Sequence, residues 1–364
     1  MPLHTRHSTL ENPHMFFLLT LLFLIELGYL YIADRYNIID KPNQRSSHTR
    51  PTIRGGGIIF PIAWLLHSTW TGWSYPWFTA GVVLIAAVSF WDDLRPVSAR
   101  VRLLVHVAAF TLLFVELDAF GALLWWGIVP AYVLGIGIIN AYNFMDGING
   151  ITGMYTLAIL MPLLAVYWVV ASVMDAKIPA GVEASYSMLD MRHWLFDNPL
   201  IYMVCAVLVF GYFNFRKKAR CFAGDVGSVS LGFIVFFLLL SLFLGKSMKG
   251  QLPAFDGKYI LFLAVYGVDS VLTIVYRLWL GENIFEAHRK HLYQYLANER
   301  RWPHLVVAGL YAGVQLIINF WVLSGPVTVW TGMALLALLA GLYYWLHFYA
   351  FRAPQSGRVE PEAG

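Results

Sequence analysis

The sequence predicts an all-α, polytopic integral membrane protein. Of its 364 residues 59% are hydrophobic and only 13% are charged, against about 25% in a soluble domain. The apolar stretches are long enough to cross a hydrocarbon core of ~30 Å as helices. They are unbroken rather than alternating, which favours helices over the strands of a membrane barrel.

Eleven apolar stretches follow one another along the chain. The second, third and fourth are short or weakly bounded, so we predict ten or eleven spans. They form a single transmembrane domain over residues 1–350, and residues 351–364 are expected to be a flexible cytoplasmic tail. The stretches are 15–33, 55–71, 77–91, 101–117, 122–140, 151–173, 199–214, 227–245, 258–279, 304–323 and 328–350.

The distribution of Lys and Arg predicts the orientation. One set of loops, together with the C-terminal tail, carries 17 basic residues, and the opposite set carries 5. Because short cytoplasmic loops are enriched in Lys and Arg, the first set is predicted to be cytoplasmic, with the N-terminus outside. This set comprises loops 34–54, 92–100, 140–150, 215–226 and 280–303.

Cysteine content and net charge exclude two other classes of protein. Cys205 lies inside an apolar stretch and Cys221 in a charged loop, so no disulfide framework is expected. The net charge of +4 comes mainly from the loops, and we predict no nucleic-acid partner.

Four carboxylates stand where an apolar stretch meets a polar loop of the cytoplasmic set: Asp92, Asp93, Asp146 and Asp225. Lying on one side of the membrane, they can act together. The adjacent Asp92 and Asp93 repel one another unless a proton or cation lies between them. The alternative is an ordinary polar loop that ends a helix.

Two of these acids lie in motifs suited to a metal. In NAYNFMDGINGITG, Asn140, Asn143, Asp146 and Asn149 follow at three-residue steps, which predicts one shared side of a helical turn. Amide and carboxylate oxygens suit Mg²⁺; the alternative is an Asn/Gly-rich turn. In GDVGS, Asp225 stands beside the free N–H groups of a helix start, a candidate metal and phosphate corner.

Two basic loops offer phosphate contacts. PNQRSSHTRPTIRGGG places Arg45, Arg50 and Arg54 before a glycine triplet that permits close backbone approach to an anion; the alternative is a membrane anchor. In EAHRKHLYQYL, His288, Arg289 and His291 are expected to meet phosphate or sugar rather than zinc. An amphipathic interfacial helix is the alternative there.

Two acids lie within spans, Glu26 in the first and Asp269 in the ninth. Such groups are costly in lipid and face the interior of a helix bundle or a water-filled cavity. Asp269 is a functional-site hypothesis, with Thr273 one turn on as its predicted partner.

The order of these motifs resembles the polyprenyl-phosphate N-acetylhexosamine-1-phosphate transferase family (glycosyltransferase family 4). The likeness runs from Pro42 to about Leu296. It is greatest to the bacterial branch that initiates O-antigen or other surface glycans. The resemblance implies an enzyme of the bacterial inner membrane with a cytosolic active site. Such an enzyme moves a sugar 1-phosphate from a UDP-N-acetylhexosamine to undecaprenyl phosphate, releases UMP and requires Mg²⁺ or Mn²⁺; a homodimer is left open.

The resemblance also implies roles for individual residues. Asp92 and Asp93 correspond to an aspartate pair near the acceptor phosphate, Asp225 to a metal ligand with Asn143 as a second, and Asn149 to a contact with uracil. The full predicted site comprises Asp92, Asp93, Asp146, His288 and His291 as catalytic residues, Arg45, Arg54, Arg102, Asn149 and Arg289 as substrate contacts, and Asp225 and Asn143 as metal ligands.

Two departures from the family pattern and one rival class bear on this reading. Asn149 stands where many relatives carry aspartate, which removes one candidate acid, and Tyr293-Gln294 replaces histidines in the last motif. A multi-span transporter of nucleotide-sugars or lipid-linked precursors is the alternative. A transporter predicts internal repeats and binding groups near the middle of the membrane, whereas these motifs lie in loops on one side.

Overall fold

The structure, a computed structural model, describes residues 13–40, 50–175, 197–247, 250–251, 256–284 and 288–352. These residues are mostly helical. The strands among them form two small antiparallel pairs, β1 (Ile39–Asp40) with β2 (Thr52–Ile53) and β3 (Lys246–Ser247) with β4 (Gly250–Gln251). The predicted all-α class is confirmed.

Each of the eleven predicted stretches coincides with one long helix. Short turns lie between them: helices at Ala119–Ala122 and Leu292–Gln294, 3-10 turns at Gly56–Ile58 and Gly257–Leu263, and a π turn at Tyr295–Glu299. The long helices are α1 (Pro13–Arg35), α2 (Ile59–Trp70), α3 (Pro76–Leu94), α4 (Ala99–Glu116), α5 (Trp125–Met145), α6 (Ile151–Asp175), α7 (Pro199–Asn214), α8 (Gly224–Phe243), α9 (Ala264–Trp279), α10 (His304–Ser324) and α11 (Val329–Arg352).

Within the described part of the chain, eight helical segments are long and apolar enough to cross a membrane. They are α1, α3, α5, α6, α8, α9 together with its preceding 3-10 turn, α10 and α11. The other three are the shorter α2 and α7, and α4, whose 18 residues include Arg100, Arg102 and Glu116. The chain is therefore a multi-pass membrane protein.

Several helices extend beyond the apolar stretches from which they were predicted. Helix α3 continues to Leu94, so Asp92 and Asp93 lie in its last turn rather than in a loop. Helix α8 begins at Gly224, so Asp225 lies in its first turn. Backbone hydrogen bonding does not stop where side chains become polar, and this is why the predicted boundaries were short.

Helix α8 is the centre of the bundle. It is apolar on every side, which is typical of a helix surrounded by others, and nearly all of its residues are buried. Phe233 and Phe237 stack on Phe78 of α3 with ring centroids 5.1 and 3.9 Å apart. Aromatic packing thus holds α8 against α3, whose last turn carries the aspartate pair.

The glycine triplet before α2 packs against the start of α8. The N–H groups of Gly56 and Gly57 donate to the carbonyls of Phe222 and Ala223 at 2.9 and 3.0 Å. A Cβ atom at Gly57 would lie 2.3 Å from Cα of Gly227. The hypothesis that these glycines cradle a phosphate is therefore wrong for Gly56 and Gly57, because their N–H groups already have partners.

Candidate active site

The ends of several helices meet at one end of the bundle. The last turns of α3 and α5, the first turn of α8 and the loop that ends at Gly55 are joined there by side-chain contacts. The loops that carry these residues must therefore lie on the same side of a membrane. Arg45, one of the predicted substrate contacts, lies outside the described residues.

Arg54 lies between two of the carboxylates. Its Nε is 2.6 Å from Oδ1 of Asp93, and its Nη2 is 3.0 Å from Oδ1 of Asp225. Burial by itself lowers the pKa of the Arg54 guanidinium, but the charges of Asp93 and Asp225 outweigh that effect and raise it. Arg54 is thus a permanent cation within the acidic cluster.

Asp93 holds the start of α8. Its side chain is fully buried and accepts the N–H groups of Asp225 and Val226 at 2.9 and 3.0 Å. These are two of the donors that a helix leaves unpaired at its N-terminus, where a negative charge is also favoured by the helix dipole. With Arg54 as a third donor, both oxygens of Asp93 are occupied.

Asp92 faces a different set of groups. It accepts the N–H group of Val97 at 2.6 Å and Nη1 of Arg102 at 2.9 Å. Its carboxyl group also comes within hydrogen-bond reach of Asp225. Two carboxylates so close need a proton or a cation between them.

The donor set around Asp225 fits a divalent cation. Asn143 lies beside it, with Nδ2 donating to Oδ1 of Asp225 at 3.0 Å; which end of that amide carries nitrogen is an assignment. No group of three or more His, Cys, Asp or Glu side chains among the described residues is arranged to hold a metal. Mg²⁺ is often held by one or two carboxylates while keeping water and phosphate ligands. Asp225, Asn143 and Asp92 match that pattern.

Asp146 lies just beyond α5, apart from the other three acids. It is half-buried and accepts Thr152 Oγ1 at 2.7 Å. Loss of hydration raises the pKa of Asp146 to about 7; the bond from Thr152 lowers it, and the charge of Asp225 raises it further. A carboxyl group with this pKa can hold or release a proton near neutral pH.

The predicted common side of Asn140, Asn143, Asp146 and Asn149 is wrong. Helix α5 ends at Met145, and the turn behind it contains Gly150 with φ of 87°. The amide of Asn140 donates to Ile136 O of its own helix. The buried Asn149 donates to Arg216 O at 2.8 Å and so joins the loop after α7 to the loop after α5. Its contact with a nucleotide stays a prediction.

The last predicted motif lies against the end of α5. The rings of His288 and His291 are 6.3 and 6.2 Å from the ring of Phe144, and Tyr293 OH donates to Phe144 O at 2.8 Å. Burial lowers the pKa of His288 to about 4, so this ring is neutral at pH 7. Arg289 beside it is partly exposed.

Both intramembrane acids face the interior, as predicted. Glu26 and Asp269 are buried, and Thr273 donates to Asp269 Oδ1 at 3.2 Å. Sequence reasoning did not identify His291 as a second partner of Asp269, at 3.1 Å. The signal was present in an acid within a span and a histidine in the following loop, but spacing along the chain does not join them.

The chain is similar to known proteins of one family. Residues 75–243 match the family model of glycosyl transferase family 4, a range that contains all four aspartates. The chain is 24% identical to a probable undecaprenyl-phosphate N-acetylglucosaminyl 1-phosphate transferase of Bacillus subtilis (strain 168), over 85% of this chain and 83% of that protein. It is 24% identical to the undecaprenyl-phosphate alpha-N-acetylglucosaminyl 1-phosphate transferase of Escherichia coli O157:H7, over 90% and 88%.

A shorter match links the chain to a third kind of protein. It is 26% identical to a phospho-N-acetylmuramoyl-pentapeptide-transferase of Streptococcus suis (strain 05ZYH33), over 49% of this chain and 55% of that protein. All three of these relatives are named as transferases. The resemblance to glycosyl transferase family 4 stated from the motif order is confirmed.

Proposed function

We propose that this chain transfers N-acetylhexosamine 1-phosphate from a UDP-sugar to undecaprenyl phosphate and releases UMP. The observation that carries the proposal is the cluster in which Arg54 joins Asp93 to Asp225 and Asn143 bonds Asp225, with contacts of 2.6 to 3.0 Å. Such a cluster suits a reaction between anionic phosphates. The names of the two long relatives, both 1-phosphate transferases that act on undecaprenyl phosphate, supply the substrate class.

We place this reaction on the cytosolic face of the bacterial inner membrane. The site residues lie at one end of the bundle, and the loops at that end carry most of the Lys and Arg. The product would be the first lipid-linked intermediate of a surface glycan such as O-antigen. The homodimer stays a prediction.

The basic residues are suited to hold the two phosphates. The reaction exchanges one phosphoanhydride for another, so catalysis rests on holding two anions in line and neutralising their charge. Arg102 pairs with Asp92, yet 41% of its side chain is exposed, which leaves donors for a phosphate. Arg54 and the partly exposed Arg289 are the other candidates.

Asp92 is better placed than Asp93 to take a proton from the acceptor phosphate. The Asp93 side chain is fully buried against Arg54 and the start of α8, whereas 10% of the Asp92 side chain is exposed. The second pKa of a phosphate monoester is about 6, so a base matters mainly if the site is dry enough to raise that value. We expect one direct displacement rather than a phosphorylated aspartate. Phosphoenzyme trapped with UDP-sugar alone would overturn this expectation.

Asp225 and Asn143, with Asp92 beside them, would hold Mg²⁺ or Mn²⁺, which when bound neutralises phosphate charge. Asp146 lies close enough to Asp225 to feel its charge and can hold a proton near pH 7. His288 and His291 lie beside the end of α5, where they would contact the sugar or its phosphates.

The test uses purified protein, undecaprenyl phosphate, Mg²⁺ and a panel of UDP-sugars, with UMP release as the measurement. We expect release with at least one UDP-N-acetylhexosamine, and a loss on the order of 100-fold in Asp225→Asn. Asp118→Asn, the same change in the loop after α4 at the opposite end, should retain the wild-type rate. No release with any UDP-N-acetylhexosamine would overturn the proposal, and uptake of UDP-sugar into vesicles without release would indicate the transporter instead.

A further inference from the structure

Asp269 of α9 is a buried carboxyl group that binds four donors. Its side chain is 3% exposed. Oδ2 accepts Tyr311 OH at 2.6 Å. Oδ1 accepts Thr273 Oγ1 and the Leu292 N–H group, both at 3.2 Å, and lies 3.1 Å from Nδ1 of His291. The carboxyl group therefore joins α9 to α10 and to the loop of the last sequence motif.

This arrangement determines how His291 presents its two nitrogens. An ionised carboxylate only accepts hydrogen bonds, so Nδ1 of His291 carries a proton and donates it to Asp269. The backbone of His291 is held as well, because its N–H group donates to Gln294 Oε1 at 3.4 Å where the short helix Leu292–Gln294 begins. Both the orientation of the ring and the identity of its outward nitrogen are thus fixed by neighbours.

The other nitrogen, Nε2, is buried and has no hydrogen-bond partner within the described part of the chain. The side chain of His291 is only 2% exposed. Buried polar atoms are nearly always paired, and an exception needs a reason such as a role in the site.

The surroundings of the ring place it at the candidate active site. His288 lies 4.9 Å away by ring centroids, Tyr293 5.8 Å and Phe144 6.2 Å. Phe144 directly follows Asn143 and stands two residues before Asp146. The ring of His291 therefore packs on the same helix end that carries the predicted metal ligand.

Charge balance indicates what Nε2 would meet. An ionised Asp269 without a cation would be a buried, unpaired charge, which is strongly unfavourable. A second anion beside Nε2 would place the His291 ring between two negative charges, an arrangement that favours a proton on each ring nitrogen. In that arrangement Nε2 donates to the anionic oxygen.

We propose that Asp269 is a positioning residue, which through Nδ1 orients His291 so that Nε2 donates to a phosphate oxygen of the nucleotide-sugar. The inference rests on the proposed function and names one atom in contact with the donor substrate. Tyr311 and Thr273 hold Asp269 in turn and have no contact with the substrate in this scheme.

A double-mutant cycle with UMP release as the readout tests the proposal. We expect Asp269→Asn and His291→Gln each to lower kcat/KM for the UDP-sugar about 10- to 100-fold, the size usual for loss of a group that orients a histidine ligand. The double variant should be no slower than His291→Gln within about 3-fold, because Asp269 acts only through that ring. Losses that multiply, or a His291→Gln variant with the wild-type rate, would overturn the proposal.

A control variant separates positioning from general loosening of the fold. Gln315 of α10 is also fully buried and polar, and it binds Tyr155 OH and the Val265 N–H group at 2.7 and 3.0 Å. Gln315→Leu should lower the thermal midpoint, and any loss of rate should multiply with that of His291→Gln. If Asp269→Asn does not fold, Tyr311→Phe takes its place in the cycle, with non-multiplying losses expected and multiplying losses contradicting the proposal.

Failure of this inference is distinguishable from failure of the proposed function. If wild-type protein releases UMP and Asp225→Asn does not, the function stands whatever the cycle shows. If wild-type protein releases no UMP from any UDP-N-acetylhexosamine, the function fails, and the role of Asp269 fails with it.

Discussion

Asp92 and Asp93 are neighbours in the chain, yet their carboxylates have different surroundings. Asp93 is fully buried and binds Arg54 and the first N–H groups of α8. Asp92 is partly exposed and faces Arg102 and Asp225. Consecutive side chains on a helix point about 100° apart, so one packs inward while the other borders the open site.

Asp93→Asn should therefore destabilise the protein, whereas Asp92→Asn should mainly abolish activity. The first change removes one of the two carboxylate partners of Arg54 and the charged acceptor of two backbone donors, a loss of about 1–3 kcal/mol. The second removes a like-charge contact and a half-exposed ion pair worth at most ~1 kcal/mol. The measurements are thermal unfolding in detergent and UMP release. Equal thermal midpoints for the two variants would contradict this division.

The raised pKa of Asp146 should make the stability of the metal-free protein depend on pH. Its pKa of about 7 lies above the ordinary value for an unfolded chain, about 4. The folded protein holds this proton more tightly, so the stabilisation is complete below about pH 4 and is lost as the pH rises through 7. Between pH 6 and pH 8 the wild type should lose about 1 kcal/mol more than Asp146→Asn, measured as unfolding free energy.

His288 also contributes to the pH dependence of stability, because its pKa is lowered to about 4. A neutral buried histidine costs stability as the pH falls below about 6.5, where the unfolded chain takes up the proton. That effect has the opposite sign, lies mostly below pH 6 and is shared by both proteins. Equal pH slopes for wild type and Asp146→Asn would show that Asp146 titrates normally.

At the scale of elements, one close contact joins the basic loop to the central helix. Gly57 and Gly227 let the backbone before α2 touch the first turn of α8. The same contact brings Arg54, three residues earlier, between Asp93 and Asp225. The position of the Arg54 guanidinium therefore depends on two residues without side chains.

Gly57→Ala should displace this loop. Its new methyl group would lie 2.3 Å from Gly227 Cα and 2.8 Å from Ala223 O, both backbone atoms that cannot turn aside. We expect a loss of about 1–3 kcal/mol in stability, as for overpacked cores, and a marked loss of UMP release. Gly137→Ala in α5, where nothing lies within 4 Å, should be neutral or gain about 0.5–1 kcal/mol. Similar behaviour of the two variants would argue against the contact.

For the whole molecule, the site lies at one end of a bundle whose helices alternate in direction. Helix α3 ends at the site, so Arg95 follows it at that end, and Ser74 before α3 lies at the other. Both are exposed, whereas native Cys205 and Cys221 are buried. Introduced thiols can therefore report which end faces the cytosol.

In membrane vesicles, Arg95→Cys should react with a membrane-impermeant thiol reagent from the cytosolic side only. Ser74→Cys should react from the opposite side only. The charge count over the loops is the physical reason. The cysteine-bearing wild type is the background control, and the reverse labelling pattern would overturn the predicted orientation.

The helices and the positions of the acids were predictable because both are local properties. A long apolar run must satisfy its backbone as a helix in lipid, and an acid at the end of such a run must lie at the membrane boundary. The role of the glycine triplet was predicted wrongly because its contacts are not local. The N–H groups of Gly56 and Gly57 are paired with residues 222 and 223, and no pattern around residue 56 shows this.

Sequence alone was thus sufficient for the all-α membrane class, the approximate positions of the long helices and the resemblance carried by the ordered motifs. Which group each acid contacts could be learned only from the folded bundle. Contacts such as that of Arg54 with Asp225 join residues 171 positions apart. The same holds for Asp269, whose bond to His291 crosses from a span to the loop that follows it. Electrostatic and hydrogen-bonding partners are set by distance in space, and only helix packing brings these groups within reach.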